Sequence, residues 1–251
     1  MNKYLIIFFA ILFIWGFFIE PELIIIKKYS VDFLKGKKFV FISDLHIAKS
    51  DKKRLKRIVD EINKINPDLV LSGGDYIKGH TGNGSMPIEE IAKELSFINA
   101  PIISVLGNHD GWYDKYTVQN ALEDNGITVL HNTSIKINEL YIAGVEDLKT
   151  GFPDSDAALE NTERPRILLS HTPDIYFDIK QDVDLILAGH VHGGQVRIPF
   201  IGALICPSDF GTKYSKGDFK DTQSRMIVTS GLGTSILNVR FNNIPEIVVI
   251  E

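Results

Sequence analysis

Five times along this chain a short apolar run stops at a polar motif that carries a carboxylate or an imidazole. Phe39-Val40-Phe41-Ile42-Ser43 runs into Asp44-Leu45-His46, and Asp68-Leu69-Val70-Leu71-Ser72 runs into Gly73-Gly74-Asp75. Ile102-Ile103-Ser104-Val105-Leu106 leads to Gly107-Asn108-His109-Asp110, and Arg166-Ile167-Leu168-Leu169-Ser170 leads to His171. The last run, Val183-Asp184-Leu185-Ile186-Leu187-Ala188, ends in Gly189-His190-Val191-His192-Gly193-Gly194-Gln195. Runs this short that do not alternate with polar residues read as strands buried on both faces. Such strands need a covering layer on each side, which points to an α/β protein. In open α/β sheets the ligand crevice lies at the carboxyl ends of the strands.

That rule brings Asp44, His46, Asp75, Asn108, His109, His171, His190 and His192 to one edge. Of the seven histidines only His80 and His131 fall outside the motifs, and these two read as ordinary surface or core residues. Glycines around His190 and His192 let the backbone turn sharply, so that both imidazoles swing toward one point. Alone, such a pair serves equally as a metal pair or as two polar loop residues, and the other four strand ends favour the metal. Mixed carboxylate, amide oxygen and imidazole donors suit manganese, iron or zinc, whereas calcium would take more oxygens. The donors exceed one octahedron's share, so two divalent ions are expected, with Asp75 the candidate bridge. Two metals ~4 Å apart hold a hydroxide between them and clamp an in-line displacement at phosphorus, which predicts phosphoester hydrolysis.

The remaining pattern gives the architecture. Helical periodicity runs over residues 51–65, 87–98 and 116–125, the last closed by Gly126, with short strands from Ile127 onward. An edge strand is expected within residues 22–34, and the whole reads as two stacked sheets with helices outside. Residues 4–19 are apolar throughout. A helix of that length spans ~24 Å, short of the ~30 Å hydrocarbon core. It reads as a cleaved signal peptide, a buried core helix or a membrane anchor. The absence of a small-residue cleavage site and of any polar face favours the anchor. Lysines from Lys27 to Lys38 then place the folded domain on the cytoplasmic face by the positive-inside bias. A net charge of −5 argues against a nucleic-acid surface. The single cysteine, Cys206, excludes an intrachain disulfide framework and a cysteine-based zinc site.

With these motifs in order, the chain from Phe39 onward resembles the calcineurin-like metallophosphoesterases. The resemblance implies a four-layer αββα sandwich, two mixed sheets flanked by helices, as residues 22–251, with residues 1–21 the N-terminal anchor helix. It implies that Asp44, His46 and His192 hold one metal, that Asn108, His171 and His190 hold the other, and that Asp75 bridges. His109 is then the acid for the leaving group, with Asp110 placed to orient it. Many members carry an acidic residue three positions after the bridging aspartate; here that position is Lys78, which leaves the partner of His109 open. Glu20-Pro21, Gly73-Gly74-Asp75-Tyr76, His192-Gly193-Gly194-Gln195 and Ser230-Gly231-Leu232-Gly233-Thr234-Ser235 look like the membrane-anchored bacterial branch. That branch includes general phosphodiesterases and a UDP-2,3-diacylglucosamine pyrophosphohydrolase of lipid A synthesis, so the expected partners are the inner membrane and a phosphoester or nucleotide-diphosphate-lipid substrate.

Around this centre the alternatives stay open. The basic run Lys52, Lys53, Arg54, Lys56 and Arg57 is a solvated helix face or a contact for anionic headgroups. Residues 199–219 form a long loop, from which Lys213 or Tyr214 meets substrate unless it is plain surface. Trp112 and Tyr113 are assigned to the core. The rival functions are a phosphoprotein phosphatase, a nuclease, a broad-specificity envelope phosphodiesterase, and a non-catalytic metal-binding scaffold that has lost its chemistry.

Overall fold

The computed structural model describes residues 3–220 and 223–251. In chain order the strands are β1 (Ile25–Tyr29), β2 (Phe39–Ile42), β3 (Leu69–Ser72), β4 (Ile102–Ser104), β5 (Ile127–Val129), β6 (Thr133–Ile137), β7 (Leu140–Gly144), β8 (Arg166–Leu169) and β9 (Leu185–Ala188). They continue as β10 (Arg197–Ile198), β11 (Gly202–Ala203), β12 (Gly217–Phe219), β13 (Arg225–Val228) and β14 (Glu246–Ile250). One sheet has the order β1-β14-β2-β3-β4-β5 and the other β12-β13-β9-β8-β7-β6, while β10 and β11 form a separate ribbon. The motif-bearing strands are parallel within each sheet: β2, β3 and β4 in one, β8 and β9 in the other.

Side-chain alternation explains the layers. Phe39 and Phe41 of β2 face the second sheet, together with Leu71, Ile103, Ile167, Leu187 and Val248. Val40 and Ile42 face the opposite way, onto the helices α2 (Lys52–Ile65), α3 (Ile88–Leu95) and α4 (Asn108–Glu123). Behind the second sheet the cover is thinner. The four-residue helix α5 (Ser155–Ala158), a 3-10 turn at Pro173–Phe177 and an aromatic loop fill that layer. The expected mixed α/β architecture of two stacked sheets holds, with its fourth layer built largely of turns.

Three local expectations are corrected. The helix expected over residues 116–125 starts at Asn108, straight out of the strand-end motif, because Asp110 accepts the N–H of Gly107 at 3.0 Å and caps it. Asp114 interrupts it with non-helical φ 179° and ψ 103°, which breaks the apolar period. The loop expected at residues 199–219 contains β11 and β12. In the basic run, Arg54 is buried rather than solvated, and donates to the carbonyls of Pro21 and Leu232. Arg57 donates to the Glu22 carbonyl.

The N-terminal segment is helical from Lys3 to Ile14 (α1) and continues through a π turn at Trp15–Ile19 and a 3-10 turn at Glu20–Glu22. No residue of α1 is buried, which removes the core-helix reading. The 20 residues Lys3–Glu22, with an 18-residue stretch of mean hydropathy 2.1, are long and apolar enough to cross a membrane. Residues 1 and 2 of the expected anchor lie outside the described residues. The domain grips the end of this segment: Glu20 is buried and accepts from the Trp15 indole and from the Asn243 N–H.

Candidate metal centre

The carboxyl ends of β2, β3 and β4 meet those of β8 and β9 where the two sheets face each other. All eight side chains expected there are buried. The ligand atoms of Asp44, His46 and His192 lie within 4.8 Å of one another, as do those of Asp75, His171 and His190. Asp75 joins the two groups, its Oδ2 being 3.4 Å from His46 Nε2 and 3.3 Å from His171 Nε2. His46 Nε2 and His192 Nε2 are 3.1 Å apart, and His192 Nε2 is 3.3 Å from Asp44 Oδ1. On the other side, His171 Nε2 is 2.9 Å from Asn108 Oδ1 and 3.1 Å from His190 Nδ1.

The backbone is strained to achieve this. Asp44, His46, Asp75, His190 and His192 all have positive φ, between 43° and 67°. That left-handed region is uncommon for residues with a side chain and clusters at functional sites. His190 and His192 thus share the turn with Gly193 (φ 60°) and Gly194 (φ 77°). Gly189 serves a different need from the one expected of it: a Cβ there would lie 2.4 Å from Asp44 Oδ2, so glycine permits close approach.

Outer contacts fix the rings. Nδ1 of His46 donates to the Ile77 carbonyl at 2.8 Å, and Nδ1 of His171 donates to the Gly73 carbonyl at 2.7 Å. Each leaves Nε2 as the inward atom, the arrangement of a metal-ligating histidine. Burial pushes the His46, His190 and His192 imidazoles well below their usual range, which keeps them neutral. Burial pushes the carboxyls of Asp44 and Asp110 up, and that of Asp75 up to about 7. Burial alone would lower His171, but the carboxylates of Asp75, Asp44 and Asp147 lift it well above the usual value. The cluster is therefore a buried set of nitrogen and oxygen donors in which three imidazoles are neutral, while His171 and the raised carboxyls retain protons that a cation would displace. Divalent cations fit such a donor set, because they alone satisfy so many converging lone pairs.

Asp110 does not touch the His109 ring. Its carboxylate accepts the N–H groups of Asp75 at 2.8 Å, Tyr76 at 2.9 Å and Ile77 at 3.2 Å, besides that of Gly107. It clamps the Asp75 loop to the start of α4. His109 is oriented instead by Gly79, whose carbonyl accepts from Nδ1 at 3.1 Å. Lys78 turns away toward Thr234, with Nζ 3.4 Å from its carbonyl and hydroxyl oxygens. Burial pushes His109 down to about 4.

Tyr214 is buried in the aromatic layer behind the second sheet, with its ring 5.1 Å from that of Phe219. Lys213 Nζ lies 4.9 Å from the Tyr214 ring centroid. Neither is brought into the Asp/His cluster. Trp112, expected in the core, is 42% exposed and stands 5.1 Å from the His109 ring. His80 lies beside both, its ring edge-on to that of His109 at 5.1 Å and tilted against that of Trp112 at 4.3 Å. Sequence reasoning also missed Arg240, which is wholly buried and donates to the carbonyls of Ser230, Gly231, Gly233 and Asn243. It braces the loop whose Leu232 and Gly233 N–H groups bond the Ser43 and Asp44 carbonyls. No local pattern marks it, since its partners are all backbone oxygens.

Residues 37–194 match the family model described as calcineurin-like phosphoesterase. An uncharacterized metallophosphoesterase of Bacillus subtilis, YkuE, is 30% identical over 92% of this chain and 86% of its own length. The Escherichia coli phosphodiesterase YaeI is 30% identical over 94% of this chain and 88% of its own. Among solved structures, a 5'-nucleotidase precursor from Thermus thermophilus superposes with a TM-score of 0.51 at 12% identity, over 78% of this chain and 49% of that one. That likeness shows a shared fold.

Proposed function

The chain belongs to the calcineurin-like phosphoesterase family and is a metal-dependent phosphoester hydrolase, and from that premise we propose a membrane-anchored phosphodiesterase or pyrophosphohydrolase with a dinuclear centre. Asp44, His46 and His192 would hold one cation, Asn108, His171 and His190 would hold the other, and Asp75 is placed to be shared between them. When bound, the pair polarises a phosphoryl oxygen and acidifies water. Manganese, iron and zinc all suit the donors. The single observation that carries this reading is the position of Asp75 Oδ2, within 3.4 Å of one inward Nε2 from each group.

The chain's own residues supply the rest. His109 stands at the edge of the cluster, its ring 4.6 Å from that of His46. It is neutral in the free protein. An anionic phosphoester in the cleft favours its protonated form, so it takes up a proton with the substrate and delivers it to the leaving oxygen. The Gly79 carbonyl holds Nδ1–H and keeps Nε2 for that transfer. Trp112 and His80 wall this side of the cleft.

Residues 1–21 are read as the anchor of a catalytic domain over residues 22–251, on the cytoplasmic face that the basic run from Lys27 to Lys38 favours. Such an enzyme acts on a substrate confined to the same surface, for which UDP-2,3-diacylglucosamine is the specific candidate. A broad-specificity phosphodiesterase is the second reading; the name of the E. coli relative, phosphodiesterase, specifies no lipid-linked substrate. Hydrolysis of UDP-2,3-diacylglucosamine against an aryl phosphodiester by the metal-loaded protein separates them. His109→Ala should lower turnover of the preferred substrate by ~10²–10⁴-fold. A protein that binds two equivalents of metal yet cleaves neither compound would return the chain to a binding scaffold.

A further inference from the structure

Single exposed apolar residues are ordinary on protein surfaces. Here six large ones crowd one end of the molecule: Phe200, Ile201, Leu204 and Ile205 on the β10–β11 ribbon and just after it, and Ile236 and Leu237 on a neighbouring loop. Phe200 is 109% exposed and Ile236 93%. Phe200 also has φ 67° at the ribbon's turn, an unfavourable conformation for a bulky residue that no packing compensates.

Five connections place this patch. The ribbon lies beside the end of the apolar helix, since Pro199 and Trp15 line one cavity of about 420 Å³. The Arg240 N–H also donates to the Gly16 carbonyl at 2.9 Å. Gln195, at the root of the ribbon, accepts from the Ser235 N–H at 2.6 Å and donates to the Leu237 carbonyl at 3.3 Å, tying ribbon and loop together. The same loop then reaches one side of the metal cluster: Gly233, Thr234 and Asn238 share a cavity of about 240 Å³ with His46, the one cluster residue in its lining, and with Pro21 at the foot of the helix. The root of the ribbon is packed on the metal loop, where a Cβ on Gly194 would meet Ala203 Cβ at 2.5 Å.

We propose that the β10–β11 ribbon and the Ile236–Leu237 tip form a second membrane contact, dipping into the lipid interface beside the helix and holding the mouth of the metal-site cleft at the bilayer surface. The proposal rests on the anchor reading of residues 1–21. Lipid is the occupant because the patch is continuous with a helix exposed and apolar on every side, and because the ribbon tip is convex, the shape that inserts rather than receives. Substrate headgroups then reach the cleft without leaving the membrane.

The test uses the full chain with Cys206→Ser, reconstituted into vesicles of phosphatidylethanolamine and phosphatidylglycerol. Spin labels are placed through Phe200→Cys, Ile236→Cys and, as control, Glu139→Cys. Glu139 lies between β6 and β7, at the sheet end opposite the metal cluster. Labels at 200 and 236 should collide with oxygen and be shielded from a water-soluble nickel chelate, and the label at 139 should do the reverse. Vesicle-bound protein with a nickel-accessible label at 200 overturns the proposal and leaves the anchor standing. Dipolar broadening between labels at 200 would make a second copy the occupant and also overturn it. A chain that fails to float with the vesicles removes the anchor, and the proposal with it. As an independent readout, Phe200→Asp with Ile201→Asp should slow cleavage of a vesicle-embedded phosphodiester by ~tenfold or more, and leave a soluble aryl phosphodiester unaffected. Equal loss on both substrates, or none on either, would count against it.

Discussion

Gly107→Ala tests the shared carboxylate with the addition of one carbon. Gly107 has φ −101°, which any residue adopts, so the substitution adds no backbone strain. Its new Cβ would fall 2.2 Å from Asp75 Oδ1 and 2.7 Å from His171 Cε1. Even a close C···O contact is ~3.3 Å, so the carboxylate must retreat by about 1 Å. Ligand distances in metal sites tolerate about ±0.2 Å, and a misplacement of ~1 Å costs ~10²-fold in rate. Overpacking itself costs about 1–3 kcal/mol, which lowers Tm by about 2–12 °C in a domain of this size. The expected result is a folded protein that melts within that range of wild type when metal-free. It should gain little stability from added metal, hold fewer than two equivalents, and lose ~10²-fold in kcat/KM on an aryl phosphodiester. Metal content by mass spectrometry, melting with and without metal, and steady-state kinetics measure each part. A variant that retains two equivalents and near-wild-type kcat/KM would show that Asp75 does not serve both groups.

Other outcomes follow from the same geometry. In the metal-free protein the His171 imidazole is held well above its usual value beside Asp75, while a ligating imidazole must be neutral. Metal uptake at pH 7 should therefore release at least about one proton, and affinity should fall as pH drops. Calorimetric titration in buffers of different ionisation heat would read that release, and finding none would sink the idea. Asp110→Asn replaces an acceptor of four backbone N–H groups with a side chain that brings its own donors. It should cost about 2–5 kcal/mol in urea unfolding and weaken metal binding, whereas an unchanged midpoint would contradict the clamp. Arg240→Met leaves buried carbonyls at Ser230, Gly231, Gly233 and Asn243 without their donor. A loss of about 3–5 kcal/mol is expected, measured by chemical denaturation, and a neutral result would assign those carbonyls to water.

Chain order carried much of this. Each of the five motif-bearing runs between Phe39 and Ala188 reads as a doubly buried strand and carries its ligand at its carboxyl end, because backbone direction fixes which residue comes after the strand. The start of α4 was not legible, since Gly111, Trp112, Tyr113 and the kink at Asp114 break its period. Nor was the positive φ of five cluster residues, which belongs to loops held from outside, that of Asp75 by Asp110 and that of Asp44 through the segment Arg240 braces.

By itself, then, the sequence determined which residues end strands, the donor chemistry those residues offer, and the presence of an apolar segment ahead of them. Tertiary structure alone decided that Asp110 grips backbone while Gly79 steers His109, that Tyr214 lies buried behind the second sheet, and that an apolar ribbon stands beside the helix and the cleft. Strand ends are local and can be read residue by residue. The partners of a buried carbonyl or carboxylate come from remote segments, and only the packing of two sheets against each other sets which ones arrive.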